Sequence, residues 1–353
     1  MSDGCSKGFP PSPPKEERRL RWGILGGARI ARVCVIPALN QSRNGEIRRL
    51  GCRSEERGQT LAQQHGIPLL CCRYEEVIED PQLDAVYIPL PNHMHKEWTL
   101  RAIQAGKHVL CEKPMAINAA EARCMVQAAK AQGVCLMEAL MYRFHPRSRR
   151  IKDLVKCGAI GEARLIRTSF CFSHPDPSDA RFRPEMGGGA LLDVGTYGVS
   201  LARWILNEEP ESVQACAEYG PTGVDVTFIG LLRFPGGCLA SVEASFMSAL
   251  QQTFGIIGSR GAIELPHNAF IPWEKDAIFY MRGAEEEEGR LEILPGVDQY
   301  RLMVEHFSDC VLNGKALDFP PEESLANMRV LDALAQSARE RRAVDLEMGS
   351  DMQ

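Results

Sequence analysis

The stretch LRWGILGGARIARVCVIPALN, residues 20–40, runs from an apolar strand through glycines into the spacing of a helix. A strand that turns on small residues into a helix lets its backbone approach a pyrophosphate at the helix N-terminus. Set against the pattern G-x-G-x-x-G/A, the matching positions are Gly26, Ala28 and Ala31, so alanine replaces the middle glycine. Glycine-bearing turns occur in many sheets, so the pattern gains its weight from the strand–turn–helix context and from the alternating elements downstream of it. Gly26, Ala28, Arg29 and Ile30 are the candidate cofactor contacts in this turn.

Working outward, strand and helix patterns alternate to about residue 140. EIRRLGCRS (46–54) reads as a strand and SEERGQTLAQQHG (54–66) as a helix stopped by glycine. LDAVYIPLP (83–91) and KHVLCEKP (107–114) read as strands around the helical HKEWTLRAIQAG (95–106). The helical NAAEARCMVQAAKAQG (118–133) and the strand VCLMEAL (134–140) come next. Such alternation implies right-handed crossovers and a parallel sheet with helices on both faces, from residue 20 to about 140. After a helix near 146–157, β-rich segments succeed one another directly across turns such as PGG and SRG. They suit an antiparallel or mixed sheet beyond residue 140, closed by the amphipathic ESLANMRVLDALAQSARERRA (323–343). GAEEEEG (283–289) reads as a solvated acidic loop. Residues 1–19, rich in proline, serine and charge, read as a disordered leader.

Composition narrows the function. The chain of 353 residues carries a formal charge of -5, which argues against nucleic acid as the main partner. Its one basic run, RFHPRSRR (143–150), reads as a solvated helix start. Thirteen cysteines are scattered without metal-type pairs, so no metal site is expected, and free thiols in a reducing cytoplasm are the simplest reading. Cys5 is not preceded by an apolar signal, and no uninterrupted apolar run is long enough for a membrane span.

Cofactor choice is set at the end of the second strand, where an acid favours NAD and a guanidinium the 2′-phosphate of NADP. Arg53, Ser54 and Arg57 stand there and favour NADP, while Glu55 and Glu56 leave room for NAD. In an open α/β sheet, ligands collect beyond the carboxyl ends of the strands. Pro91, Asn92, His95, Glu112 and Lys113 are therefore expected around a nicotinamide, although His95 also suits a packed or capping role. The proline after Lys113 opens the option of a cis bond, which would aim the lysine across the crevice. An ammonium there stabilises charge developing on a substrate oxygen. An ordinary surface lysine is the plainer alternative.

The second constellation is GGGALLDVGTYGVSLARWIL (187–206). Three glycines allow close approach to a ligand, and Asp193 and Tyr197, four apart, share a helix face. A carboxylate and a phenol so placed suit proton transfer, provided a neighbour such as Lys113 lowers the phenol's pKa. The alternative is an acid favoured by the helix dipole beside a tyrosine packed for bulk.

Taken in order, WGILGGARIA, IPLPNHMHKEWTLRAIQAGKHVLCEKP, MEALMYRFHP, GAIGEARLIRTSFCF and GGGALLDVGTYGVSLARWIL resemble the glucose–fructose oxidoreductase / inositol dehydrogenase (Gfo/Idh/MocA) family. The nearest branch holds NADP-dependent D-xylose dehydrogenases and dimeric dihydrodiol dehydrogenases. The resemblance implies that Lys113, Asp193 and Tyr197 are catalytic and that Arg143, His145 and Arg183 line the substrate pocket. It further implies an α/β fold of two domains, a doubly wound Rossmann domain over 20–140 and a C-terminal α/β domain over 141–353. The latter's open, mostly antiparallel sheet would form a homodimer or homotetramer interface. The expected activity is NADP-dependent hydride transfer to or from a sugar, dihydrodiol or related polyhydroxy alcohol or carbonyl. Alternatives on the same residues are an anhydrofructose-type carbonyl reductase and, without turnover, a dinucleotide-binding redox regulator.

Overall fold

The computed structural model describes residues 18–174 and 176–346. Apart from Arg18 and Arg19, the expected leader lies outside the described residues, as does Cys5.

The first sheet has strands β1 (Leu20–Leu25), β2 (Gly45–Gly51), β3 (Leu69–Cys71), β4 (Ala85–Ile88), β5 (His108–Cys111) and β6 (Leu136–Glu138). Their order is β3-β2-β1-β4-β5-β6, and every pairing is parallel. All four residues of β4 are buried, as expected of a strand covered on both faces. The strand order reverses between β1 and β4, and the carboxyl ends of these strands and of β5 converge on one side. That is the switch point at which such sheets bind ligands.

The helix after β1 runs over residues 29–41, but its turn Ala31–Val35 is widened to π geometry before α1 (Ile36–Gln41). Pro37 supplies the cause: it has no N–H to donate to the preceding turn. The crossover helices are α2 (Glu55–His65), α3 (Tyr74–Ile78), α4 (His95–Gln104) and α5 (Ala119–Gln132). α2 and α5 begin on side-chain caps, Ser54 and Asn118, and end on the left-handed glycines Gly66 and Gly133.

After α6 (Pro146–Lys156) the second sheet uses β7 (Ala163–Ser173), β8 (Ser212–Tyr219), β9 (Asp225–Arg233), β10 (Leu239–Ser245) and β11 (Met247–Gly258). It is completed by β12 (Gly261–Leu265), β13 (Ala277–Gly283), β14 (Arg290–Leu294) and β15 (Val344–Asp345). The order is β14-β13-β12-β11-β7-β10-β9-β8-β15, antiparallel except for β10 beside β7. Helix α7 (Thr196–Leu206) and helix α9 (Pro321–Glu340) pack on one face of it. Between β14 and α9 stands α8 (Gln299–Asn313), a helix that the sequence patterns did not single out. It returns to the first sheet, where Phe307 meets Trp22 at 5.2 Å and Asn44 bonds the Glu305 carbonyl at 2.9 Å.

The start of α7 is fixed by the glycine run. Gly189 has φ +120°, and a Cβ there would fall 2.2 Å from Oδ1 of Asp225. Asp225 in turn accepts the Leu191 N–H at 2.6 Å, so a carboxylate caps the helix that carries Asp193 and Tyr197. Burial raises Asp225 from the ordinary 3.8 to about 6, against the pull of the backbone N–H groups it accepts. A folded-state pKa above the unfolded one stabilises the fold fully below the unfolded value and loses that contribution as pH rises through the folded value. We therefore expect the stability of Asp225→Asn relative to wild type to rise by on the order of 3 kcal/mol between pH 4 and 7. Urea unfolding at both pH values measures it, and a constant difference would contradict the assignment.

Candidate active site

One cleft of about 700 Å³ lies between the switch point of the first sheet and the inner face of the second. Ala28, Arg29 and Ile30, at the start of the first helix, form one wall. Pro91 and Asn92 after β4, and Glu112 and Lys113 after β5, form its floor. Gly26 lies buried beneath the turn with φ +103°, and a Cβ there would meet Leu90 at 3.1 Å, so the position requires glycine. A tight turn opening onto a helix N-terminus at the end of β1 fits a dinucleotide pyrophosphate, and the alanine at position 28 still lines the cleft.

The Lys113–Pro114 peptide is cis. Lys113 Nζ reaches the second domain and donates to Oδ1 of Asp193 at 2.6 Å and to its carbonyl oxygen at 2.7 Å. Asp193 sits in the π-widened turn Leu191–Gly195 that leads into α7. Oδ2 of the same carboxylate accepts from Nε of Arg181 at 2.7 Å. Burial alone would raise the Asp193 pKa, but the two cations override it and hold the carboxyl far below its usual range.

Tyr197 lines the same cleft and is buried, its ring 5.3 Å from both Phe170 and Phe270. Its hydroxyl donates to Met141 Sδ at 3.7 Å. Lys113 Nζ stands over the ring face, 5.4 Å from the centroid. The expected lowering of the phenol pKa is corrected. Burial, followed by the Glu112, Asp193 and Glu138 carboxylates, pushes it well above 10. Glu112 and Glu138 are themselves raised, chiefly by burial. Tyr87 donates to Glu112 at 2.5 Å, and Glu138 accepts the Met115 N–H at 2.9 Å.

Other expected contacts stand elsewhere. His95 is fully buried, with Nδ1 2.8 Å from the Pro114 carbonyl and Nε2 2.7 Å from that of Leu90. It sits between the loop after β4 and the loop after β5 instead of facing the cleft. Burial lowers its pKa to about 4 against the pull of both carbonyls, and the neutral ring donates to one of them at a time. Arg53, Ser54 and Arg57 are exposed beyond the end of β2 and do not line the cleft itself. Ser54 accepts the Arg57 N–H and so caps α2.

Arg143 is corrected from pocket residue to internal strut. It pairs with Glu323, donates to Ser200 at 3.1 Å and lies 4.0 Å over the Phe319 ring. His145 caps α6 by accepting the Arg147 N–H at 3.0 Å. Arg183 is turned outward, donating to the Ser178 carbonyl at 3.2 Å. None of the three lines the cleft.

The guanidinium that meets Asp193 in the cleft belongs to Arg181, two residues earlier, for which the sequence carried no distinguishing signal. DARFR offers two arginines of equal appearance, and only the short 3₁₀ turn Ala180–Phe182 decides which one points inward. Phe170, Phe172, Met141, Ile271 and Trp273 supply apolar walls, and α8 contributes Tyr300. Tyr300 comes from a segment that carried no functional signal.

Comparison with known proteins fits this geometry. The model of the oxidoreductase family with an NAD-binding Rossmann fold (GFO/IDH/MocA) matches residues 20–140, and that of the GFO/IDH/MocA C-terminal domain matches 148–264. D-xylose 1-dehydrogenase (NADP(+)) 2 of Haloferax volcanii is 36% identical over 329 residues, covering 93% of this chain and 100% of that protein. Trans-1,2-dihydrobenzene-1,2-diol dehydrogenase of Xenopus laevis is 31% identical over 341 residues, covering 92% and 98%. Among solved structures, aldose–aldose oxidoreductase of Caulobacter crescentus complexed with glycerol superposes with a TM-score of 0.86 at 29% identity, covering 93% and 100%. With both domain models matched in sequence order and relatives aligned along nearly their whole length, the chain belongs to the GFO/IDH/MocA family of oxidoreductases.

Proposed function

We propose that the protein is an NADP-dependent oxidoreductase acting on a cyclic polyhydroxy alcohol, such as a sugar or dihydrodiol, or on the matching carbonyl. The observation that carries this reading is the meeting of Lys113, Asp193 and Tyr197 in one cleft with the nucleotide turn. NADP, when bound, supplies the hydride acceptor or donor. Lys113 stabilises negative charge on the substrate oxygen. Asp193, kept ionised, anchors that ammonium. The raised pKa of Tyr197 suits donation of a phenolic proton to a carbonyl oxygen, and alcohol oxidation, which needs the phenolate, gains rate toward alkaline pH. The apolar walls, including Phe170, Phe172 and Trp273, favour a ring that presents a C–H face over an extended polyol. The relatives named as a xylose dehydrogenase and a dihydrobenzenediol dehydrogenase support the same substrate class.

The free state of the twelve described cysteines suits a reducing compartment, and the cytoplasm is the proposed location. Among the described residues, no helix is long and apolar enough to cross a membrane. The second sheet leaves Ile229, Leu231, Leu239, Leu291 and Ile293 exposed, which supports a homodimer or homotetramer formed through that sheet.

Lys113→Met and Tyr197→Phe are each expected to lower turnover by about 10²–10⁴-fold while NADPH binding is largely kept. Steady-state rates on cyclic diols and aldoses, beside NADPH fluorescence, check this, and near-normal turnover in both would refute the assignment. Arg53→Ala with Arg57→Ala should raise KM for NADP by about 10-fold or more, the worth of one charge-assisted phosphate contact, and leave KM for NAD little changed. Equal effects on both cofactors would remove these arginines from the 2′-phosphate. Leu231→Glu should reduce the mass seen by light scattering to that of one chain, and an unaltered oligomer would place the interface elsewhere.

A further inference from the structure

We propose that Arg181 is a positioning residue of the active centre: by occupying Oδ2 of Asp193 it aims Oδ1 at Lys113 and leaves the ammonium charge available to the substrate oxygen. The inference rests on the reading of Lys113 and Tyr197 as the reacting groups.

Charge balance gives the reason. Lys113 and Arg181 share the Asp193 carboxylate, at 2.6 Å and 2.7 Å, while Asp179, 3.1 Å from Arg181, brings the four-residue cluster to neutrality. With Oδ2 engaged by Arg181, the carboxylate divides its charge between two cations and offsets the Lys113 ammonium less completely than in a Lys113–Asp193 pair alone. More of the ammonium's field is left for an oxygen gaining negative charge. Arg181 is held firmly enough for this task. Its N–H and Nη1 both donate to Oδ1 of Asp179, at 2.9 Å and 3.1 Å, and its guanidinium lies 5.8 Å from the Phe172 ring. The Gly189 N–H donates to the Arg181 carbonyl at 2.9 Å, and a Cβ on Gly188 would fall 2.5 Å from that oxygen. The turn that aims Arg181 is thus bolted to the glycine run that starts the helix bearing Asp193.

The groups around Asp193 are Lys113 from the end of β5, Arg181 and its partner Asp179 from the 3₁₀ turn, and Tyr197 on α7. His174 faces Asp179 at 3.5 Å, Asp225 caps the helix start, and Glu112 and Glu138 act on the phenol. Loss of Arg181 removes one of the two cations that hold Asp193 ionised, so its protonation should move to higher pH.

The test uses Arg181→Met and Arg181→Lys in the full chain. Arg181→Met should lower kcat by about 10- to 100-fold, the scale on which outer partners of reacting groups act. KM and NADPH affinity should change little, while the acid limb of the kcat–pH profile moves upward. Arg181→Lys should restore the limb but only part of the rate, because it keeps the charge without the planar fork. Independently of turnover, ¹³C-carboxyl labelling of aspartate, with Asp193→Asn to assign the signal, should show Asp193 titrating at higher pH in Arg181→Met than in wild type. An unmoved Asp193 titration overturns the inference, as does a loss of NADPH binding equal to the loss in rate, which would mark a merely structural role. Absence of any wild-type turnover would sink the parent reading, while the labelling experiment would still decide the role of Arg181.

Discussion

The ion pair between Lys113 and Asp193 joins the two halves of the molecule, and the site exists only where they meet. The lysine ends a strand of the parallel sheet, and the aspartate opens a helix lying on the antiparallel one. Both charges are largely withdrawn from water, and each is held there by an opposite charge at bonding distance, Asp193 by Arg181 as well as by Lys113. The surrounding structure holds the two ends at bonding distance. His95 sits between the loops after β4 and β5, and Asn92 bonds the Gly187 carbonyl at 2.8 Å across the cleft. Asp225 fixes the start of the helix from behind.

Electrostatics divide the carboxyl groups in and beneath the cleft by environment rather than by type. Asp193, between an ammonium and a guanidinium, is held ionised. Glu112 and Glu138, buried among apolar strands, are raised. Tyr197 lies between these two settings, with an apolar bed under its ring and carboxylates near its oxygen, and so keeps its proton. Environments that drive titratable groups apart in this way assign the charge anchor and the proton donor to different side chains.

The family resemblance rested on order and local pattern, and the comparisons bear it out along nearly the whole chain. The parallel sheet was legible because its strands and helices alternate with clear glycine stops. Helix α8 was not read, although Asp298 caps it and Gly314 ends it, because its apolar residues serve the distant Trp22 rather than a neighbour in sequence. The resemblance, not the local pattern, implied that Arg143 and His145 line the substrate pocket. In the folded chain Arg143 satisfies Glu323 and Ser200 inside the core, and His145 spends its ring nitrogen on a helix cap.

By itself the sequence determined the elements: glycine where φ must be positive, caps where helices begin, alternation where strands are covered. It also determined which residue types stand at strand ends, where a doubly wound sheet collects its ligands. Only the tertiary structure decided which side chains share a cleft, that Arg181 rather than Arg183 faces inward, and that the phenol is raised and not lowered. Periodicity and capping act over a few residues and can be read along the chain. Charge, desolvation and close approach act through space, and they have no value until the segments that carry them are packed together.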